Sequence, residues 1–150
     1  MKNLILTLII GFVTSLFYGQ QVEYEIVYNG TTGNYETYAH VIDADITGSL
    51  AAGPSGFTIV LPASVPDTPI AATTVNPLPS FWSNNVSIYA PAANTNFDYH
   101  RFNLFSPGFP YSSLNDGDSV LLFTFSLGGC LGDVRVWNNI TDPASNAPGM

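Results

Sequence analysis

Basic side chains are almost missing from this chain: three Lys and Arg stand against eleven Asp and Glu, and the formal net charge is −8. The single lysine is Lys2, so Arg101 and Arg135 are the only side-chain cations beyond the first few residues. Binding to a phosphate backbone needs clustered Lys and Arg, and attraction to anionic lipid needs the same, so nucleic acid and charged membrane surfaces are disfavoured as partners. Cysteine is nearly absent too. Cys130 cannot close an internal disulfide by itself, so the fold must rest on a packed core, with a small buried thiol as the expected role of that residue. A Cys-His nucleophile using His40 or His100 has no supporting motif. No apolar run reaches the roughly 18–20 residues that span a bilayer, and no segment beyond the leader shows a helical period.

The leader is itself informative. Met1-Lys2-Asn3 forms a short positive start, Leu4 to Phe12 is apolar apart from Thr7 and Gly11, and Thr14, Ser15 and Gly19 follow. This order predicts a signal-peptide helix over residues 1–19, cleaved after Gly19, with no membrane insertion afterwards and a secreted or cell-surface location. Leu127-Gly128-Gly129-Cys130 imitates a lipid-attachment site but lies far from the leader. Residues 20–140 then have the length of one domain, and residues 141–150, rich in Pro, Asn, Ser and Gly, form a tail or the start of a linker in a longer protein.

Within that domain the apolar period is two. Val22, Tyr24, Ile26 and Tyr28 alternate with Glu23 and Glu25, the turn Asn29-Gly30-Thr31-Thr32-Gly33 follows, and Tyr35, Thr37, Ala39 and Val41 resume on one face, which predicts a β-hairpin over residues 22–42. Phe57, Ile59 and Leu61 mark a third strand closed by Pro62. Five prolines between 62 and 80 suit an extended edge or draped loop in which residues 70–75 pair briefly. Further strands run through Val86 to Ala90 and Tyr99 to Phe105. Ser119 to Leu127 is apolar on both alternating faces and belongs in the centre of a sheet. A last strand turns Val134 and Val136 one way, Arg135 and Trp137 the other. The fold class is all-β: an antiparallel two-sheet β-sandwich, immunoglobulin-like, cohesin-like or jelly-roll.

The stretch from Gln21-Val22-Glu23-Tyr24 through Asp133-Val134-Arg135-Val136-Trp137 to Asp142-Pro143 resembles the N-terminal modules of large secreted surface proteins of Bacteroidota. The resemblance rests on a Tyr-rich first hairpin, an aromatic middle, a Phe-rich strand, Gly-Gly-Cys and a terminal Asn-x-x-x-Asp-Pro. It implies a sandwich similar to cohesin-like and carbohydrate-binding modules, in proteins associated with type IX secretion. Asp118-Ser119-Val120 also matches the O-glycosylation pattern of such proteins.

Two Asp-x-Asp pairs, Asp43 with Asp45 and Asp116 with Asp118, are candidate ligands for a structural calcium, although Asp is also the ordinary residue of turns. No other cofactor is implied. Nothing places two carboxylates across a sugar cleft, and no Gly-x-Ser-x-Gly elbow accompanies a histidine, so the chain reads as non-catalytic. Aromatics are the stronger lead, because sugar rings stack their C–H faces on Trp and Tyr. Trp137 beside Arg135 is the first candidate, followed by Trp82, Tyr99 and Tyr111; His40 and His100 are expected on strand surfaces. The expectation is therefore an adhesion or glycan-binding module with a glycan or surface protein as partner, the alternative being a spacer or protein-docking domain.

Overall fold

A computed structural model describes residues 21–42, 46–51, 56–76, 81–105 and 110–150; the proposed leader and the Asp43/Asp45 pair lie outside them. The described residues form ten strands: β1 (Gln21–Asn29), β2 (Asn34–Ile42), β3 (Ile46–Ala51), β4 (Gly56–Pro62), β5 (Ala72–Thr74), β6 (Phe81–Ile88), β7 (Phe97–Phe105), β8 (Pro110–Leu114), β9 (Ser119–Phe125) and β10 (Arg135–Val136). One four-stranded sheet has the order β1-β2-β9-β5, a second has β10-β4-β7-β6, and β3 pairs with β8. All pairings are antiparallel, so the protein is an all-β sandwich.

The first hairpin forms as its sequence predicts. Asn29 accepts the Thr31 N–H on its side-chain oxygen at 2.9 Å and the Gly33 N–H on its carbonyl at 2.9 Å, while Gly33 takes a φ of 72° that a side chain would resist. In β2 the alternation is strict: Tyr35, Thr37, Ala39 and Val41 are buried, the residues between them are not. Tyr35 then ties β2 to a distant loop, its hydroxyl accepting the Leu131 N–H at 2.5 Å and donating to the Leu131 carbonyl at 3.1 Å.

Strand β9 is internal to the first sheet, as its two-faced apolarity requires. Its pairing with β2 slips between Thr37 and Tyr38, a bulge that skips Leu122, and the Leu122 carbonyl accepts the N–H groups of both Val75 and Asn76. Leu122 and Phe123 are thus both buried although adjacent in sequence.

Between the sheets lies an aromatic core. Phe123 stacks on Phe102 with ring centroids 4.8 Å apart and meets Trp82 at 5.5 Å and Phe57 at 5.9 Å, while Tyr35 stacks on Phe125 at 5.2 Å. Each such fully buried side chain contributes about 1.5–3 kcal/mol from area alone, with offset ring pairs adding about 0.5–1.5 kcal/mol. This replaces the disulfides the chain cannot make. Cys130 is not part of it: contrary to the expectation of burial, the residue is exposed, on the loop after β9 that follows the turn at Gly128, whose φ is 78°.

Strand β6 carries a second bulge. Its pairing with β7 runs Asn84 to Phe102 and then Val86 to Arg101, leaving Asn85 extra. Trp82 and Asn84 therefore face inward, yet beyond the bulge Ser87 faces inward and Val86 and Ile88 turn out. Asn84 holds this geometry. Its amide donates to the carbonyls of Val86 at 2.9 Å and Arg101 at 3.1 Å, and its oxygen accepts from Ile70 N–H at 3.1 Å and Ser87 hydroxyl at 2.9 Å.

Candidate ligand-binding groove

The register of the second sheet lays its outer face out in rows. Arg135 pairs with Val60, Val60 with Tyr99, and Tyr99 with Ile88, which makes one row across four strands. The Trp137 N–H donates to the Thr58 carbonyl at 2.8 Å, Thr58 pairs with Arg101, and Arg101 pairs with Val86, which makes the next. Further along, beyond Gly56 and Asn103, Phe81 pairs with Phe105.

The C-terminal segment folds back over the first row. Asn138 starts it with an Asx turn, its side-chain oxygen accepting from Ile140 N–H at 2.8 Å and Thr141 N–H at 3.3 Å. The Asp142 N–H donates to the Asn138 carbonyl at 2.9 Å, and the Asn138 N–H returns a bond to Asp142 Oδ2 at 2.7 Å. Arg135 then grips both oxygens of Asp142 at 2.5 and 2.6 Å. Further on, the Ala93 N–H donates to the Pro148 carbonyl at 3.2 Å. The row beneath is sealed, so that Val60 is 0% and Tyr99 2% exposed although both lie on the outer face. Residues 141–150 lie over the sheet as a cover.

The second row stays open. A groove of about 650 Å³ borders it, lined from the second sheet by Trp137, Thr58, Val86, Tyr99 and Arg101, from the covering segment by Met150, and reaching round to Tyr24 of β1. No Asp or Glu is among the described residues that line it. The Arg101 Nε donates to Asn103 Oδ1 at 3.0 Å, which fixes the guanidinium plane, and among the described residues no carboxylate forms an ion pair with it. Trp137 is half-buried and its indole N–H donates to the Pro143 carbonyl at 3.3 Å, so the ring is oriented by the covering segment while remaining in the groove wall.

The sequence candidates are distributed unevenly about this groove. Trp137 and Tyr99 line it, although Tyr99 is too deeply covered to offer a stacking face, and burial together with the nearby Asp142 charge pushes its phenol pKa up. Arg135 points outward as its alternation predicts, but its charge is spent on Asp142 and its guanidinium lies 5.6 Å from the Phe97 ring centre. Trp82 is a correction. It is 2% exposed in the core, its indole N–H donating to the Asn76 carbonyl at 2.9 Å, because its pairing with the inward-facing Leu104 puts it on the inner face between Phe57 and Phe123. Tyr111 lies on β8, whose side chains are outside the described set. Asp118 acts as a turn residue: its Oδ2 accepts from the Asn115 backbone at 2.7 Å and from the Asn115 amide at 3.3 Å. Among the described residues no three His, Cys, Asp or Glu gather as metal ligands.

His40 sits on the strand surface as expected, bridging Ser119 at 2.7 Å and Glu25 at 3.0 Å. His100 does not. It is 1% exposed, on the inner face of β7, with Nδ1 3.0 Å from Ser87 Oγ and Asp98 two residues away on the same face. Serine, histidine and aspartate here imitate a nucleophile-base pair, yet the Ser87 hydroxyl donates to Asn84, and the histidine is closed off from any solute. Burial holds His100 below its ordinary pKa, against the opposing charges of Asp98 and Asp67, which favours the neutral imidazole.

Arg101, Thr58 and Val86 were not singled out by sequence reasoning. The available signal was the alternation of β7, in which Tyr99, Arg101, Asn103 and Phe105 share one face opposite the buried Asp98, His100, Phe102 and Leu104. No family model matches the chain, and neither a curated protein nor a solved structure matches it.

Proposed function

We propose that this chain is a non-catalytic binding module of an exported surface protein and that the groove on its second sheet captures a glycan. The single observation that carries this reading is the half-buried Trp137 ring in the wall of a groove whose described lining pairs apolar side chains with Arg101 and hydroxyl groups. A sugar presents an apolar C–H face to such a ring and hydroxyl groups to such polar neighbours. What supports binding over turnover is the lining itself: its described side chains include no carboxylate, thiol or imidazole to move a proton or attack a bond. The leader-like start of the sequence supports export. The test is a glycan array probed with the wild-type chain and Trp137→Ala. Retention of a glycan by the first and its loss from the second is expected; no glycan retained by either chain would sink the proposal.

A second reading is favoured by a different observation. Phe81 and Phe105 stack at 5.5 Å on the far end of the same face and are 54% and 45% exposed, an apolar pair at the edge strand β6 of the kind that docks another protein. In that reading the chain is a spacer or docking domain, and Phe81→Ser, not Trp137→Ala, abolishes its association with a partner module.

A further inference from the structure

We infer that the ligand of the groove is an acidic oligosaccharide, one whose sugar ring lies on Trp137 while its carboxylate or sulfate is held by the terminal nitrogens of Arg101; this rests on the glycan-binding reading above. Charge sets the argument. The chain carries eleven acidic residues, yet none of the described ones lines this groove, and Arg101 is the one ionised side chain among the described lining. The other arginine, Arg135, is neutralised by Asp142 a row away and adds no net charge. Arg101 is thus the one charged side chain that a ligand in the groove meets among the described residues.

The geometry suits an anion. Asn103 occupies the Arg101 Nε at 3.0 Å and so orients the guanidinium, leaving its outer edge, the two terminal amino groups, for a planar or tetrahedral oxyanion that accepts two parallel bonds. Trp137 and Arg101 flank Thr58 in one row, two strand spacings or about 10 Å apart between backbones, with the long side chains reaching across. One sugar ring and its exocyclic acid fit that span. Gly56 explains why Asn103 can serve: the Asn103 amide fills the space where a Gly56 Cβ would stand.

The net charge of −8 limits the class further. Repulsion from surface carboxylates is screened beyond about 8 Å at physiological salt, so a single acidic group in the groove feels mainly Arg101. A dense polyanion would not be so favoured, since its further charges meet no further cation. The fitting ligand carries sparse acidic groups on a sugar backbone.

The experiment is calorimetric titration of the full chain with matched pairs: a galacturonate oligosaccharide against its methyl ester, and a sulfated galactan oligosaccharide against its desulfated form. The expected result is at least about ten-fold tighter binding of one acidic form over its neutral partner, an advantage lost in Arg101→Met and only partly retained in Arg101→Lys, which keeps the charge without the fork. The two pairs decide between carboxylate and sulfate. Equal binding of acidic and neutral forms, or an acidic advantage that survives Arg101→Met, overturns this inference and leaves glycan binding standing. No binding of any form overturns both. Arg101 is exposed, so its replacement leaves the core intact, and unfolding curves of the variants verify this.

Discussion

Arg135 holds Asp142 with both ends of its guanidinium, at 2.5 and 2.6 Å, seven residues apart in sequence and on opposite sides of the turn that sends the chain back over the second sheet. The carboxylate is 2% exposed at its side chain and the guanidinium 39%, so the two partners are not equivalent. Arg135→Ala strands a buried charge, whereas Asp142→Ala leaves a cation that water can reach. The expected cost is about 3 kcal/mol for the first and about 1–2 kcal/mol for the second, read from urea unfolding. Equal and negligible losses would show that the covering segment adds nothing to stability.

The same pair gives an acid limb to stability. Desolvation acts to raise the Asp142 pKa, but its bonds from Arg135 and from the Asn138 N–H outweigh that and hold it below its ordinary value. A carboxylate depressed on folding contributes stability above its unfolded pKa, and that contribution is lost as pH falls through the folded value. Stability should therefore drop below about pH 4. Asp142→Asn should show a shallower drop than wild type in the same urea series.

His100 acts in a different window. Its folded pKa is lowered by burial, so the unfolded chain binds the proton more readily, and stability is intact above about 6.5 and falls as pH drops below it. His100→Asn, which can keep a bond to Ser87, should be less stable at pH 7 yet lose the slope between pH 7 and 5. A slope unchanged in the variant would assign the effect to other groups.

Trp137 allows stacking and positioning to be separated. Trp137→Ala should weaken glycan binding about five- to ten-fold, the value of one aromatic face. Trp137→Phe keeps a ring and loses the bond to the Pro143 carbonyl, so most of the affinity should remain, with a stability loss of about 1 kcal/mol. Titration and thermal unfolding on the same samples distinguish the two effects.

Gly56 and Asn84 test how the groove is shaped. A Cβ at Gly56 would run into the Asn103 amide and come within 3.0 Å of the Phe102 carbonyl, so Gly56→Ala should cost about 1–3 kcal/mol and, by displacing Asn103 from Arg101, weaken acidic-glycan binding. Asn84→Ala strips the bonds that stabilise the β6 bulge and leaves the Ile70 N–H without its acceptor, for an expected loss of about 2–3 kcal/mol. Amide hydrogen exchange should show faster exchange at Ile70 and along β6 in that variant.

The strands with clean alternation were legible from the residues. The first hairpin, the central place of Ser119 to Phe125 and the outward turn of Arg135 and Trp137 all follow from a period of two. Strand β6 was read only from Val86 onward, because Phe81 to Asn85 shift phase at the bulge and hide the period. Strands β3 and β8 were missed: Thr47-Gly48-Ser49 and Ser112-Ser113 lack the apolar alternation that marks a buried face.

The all-β class, most of the strand positions and the side of the sheet on which each regular residue stands are written in the residues, because these depend on backbone geometry and local period. Whether that side is covered was decided by the tertiary structure. Tyr99 and Arg101 are two residues apart on one face of β7, yet one is 2% exposed and the other open, since the segment anchored by Asp142 happens to pass over the first alone. Trp82 and His100 are buried for the same kind of reason, a first sheet whose strands come from far along the chain and pack on the face where both stand. Burial is a sum over contacts between distant segments, and a period of two carries no information about which of them arrives.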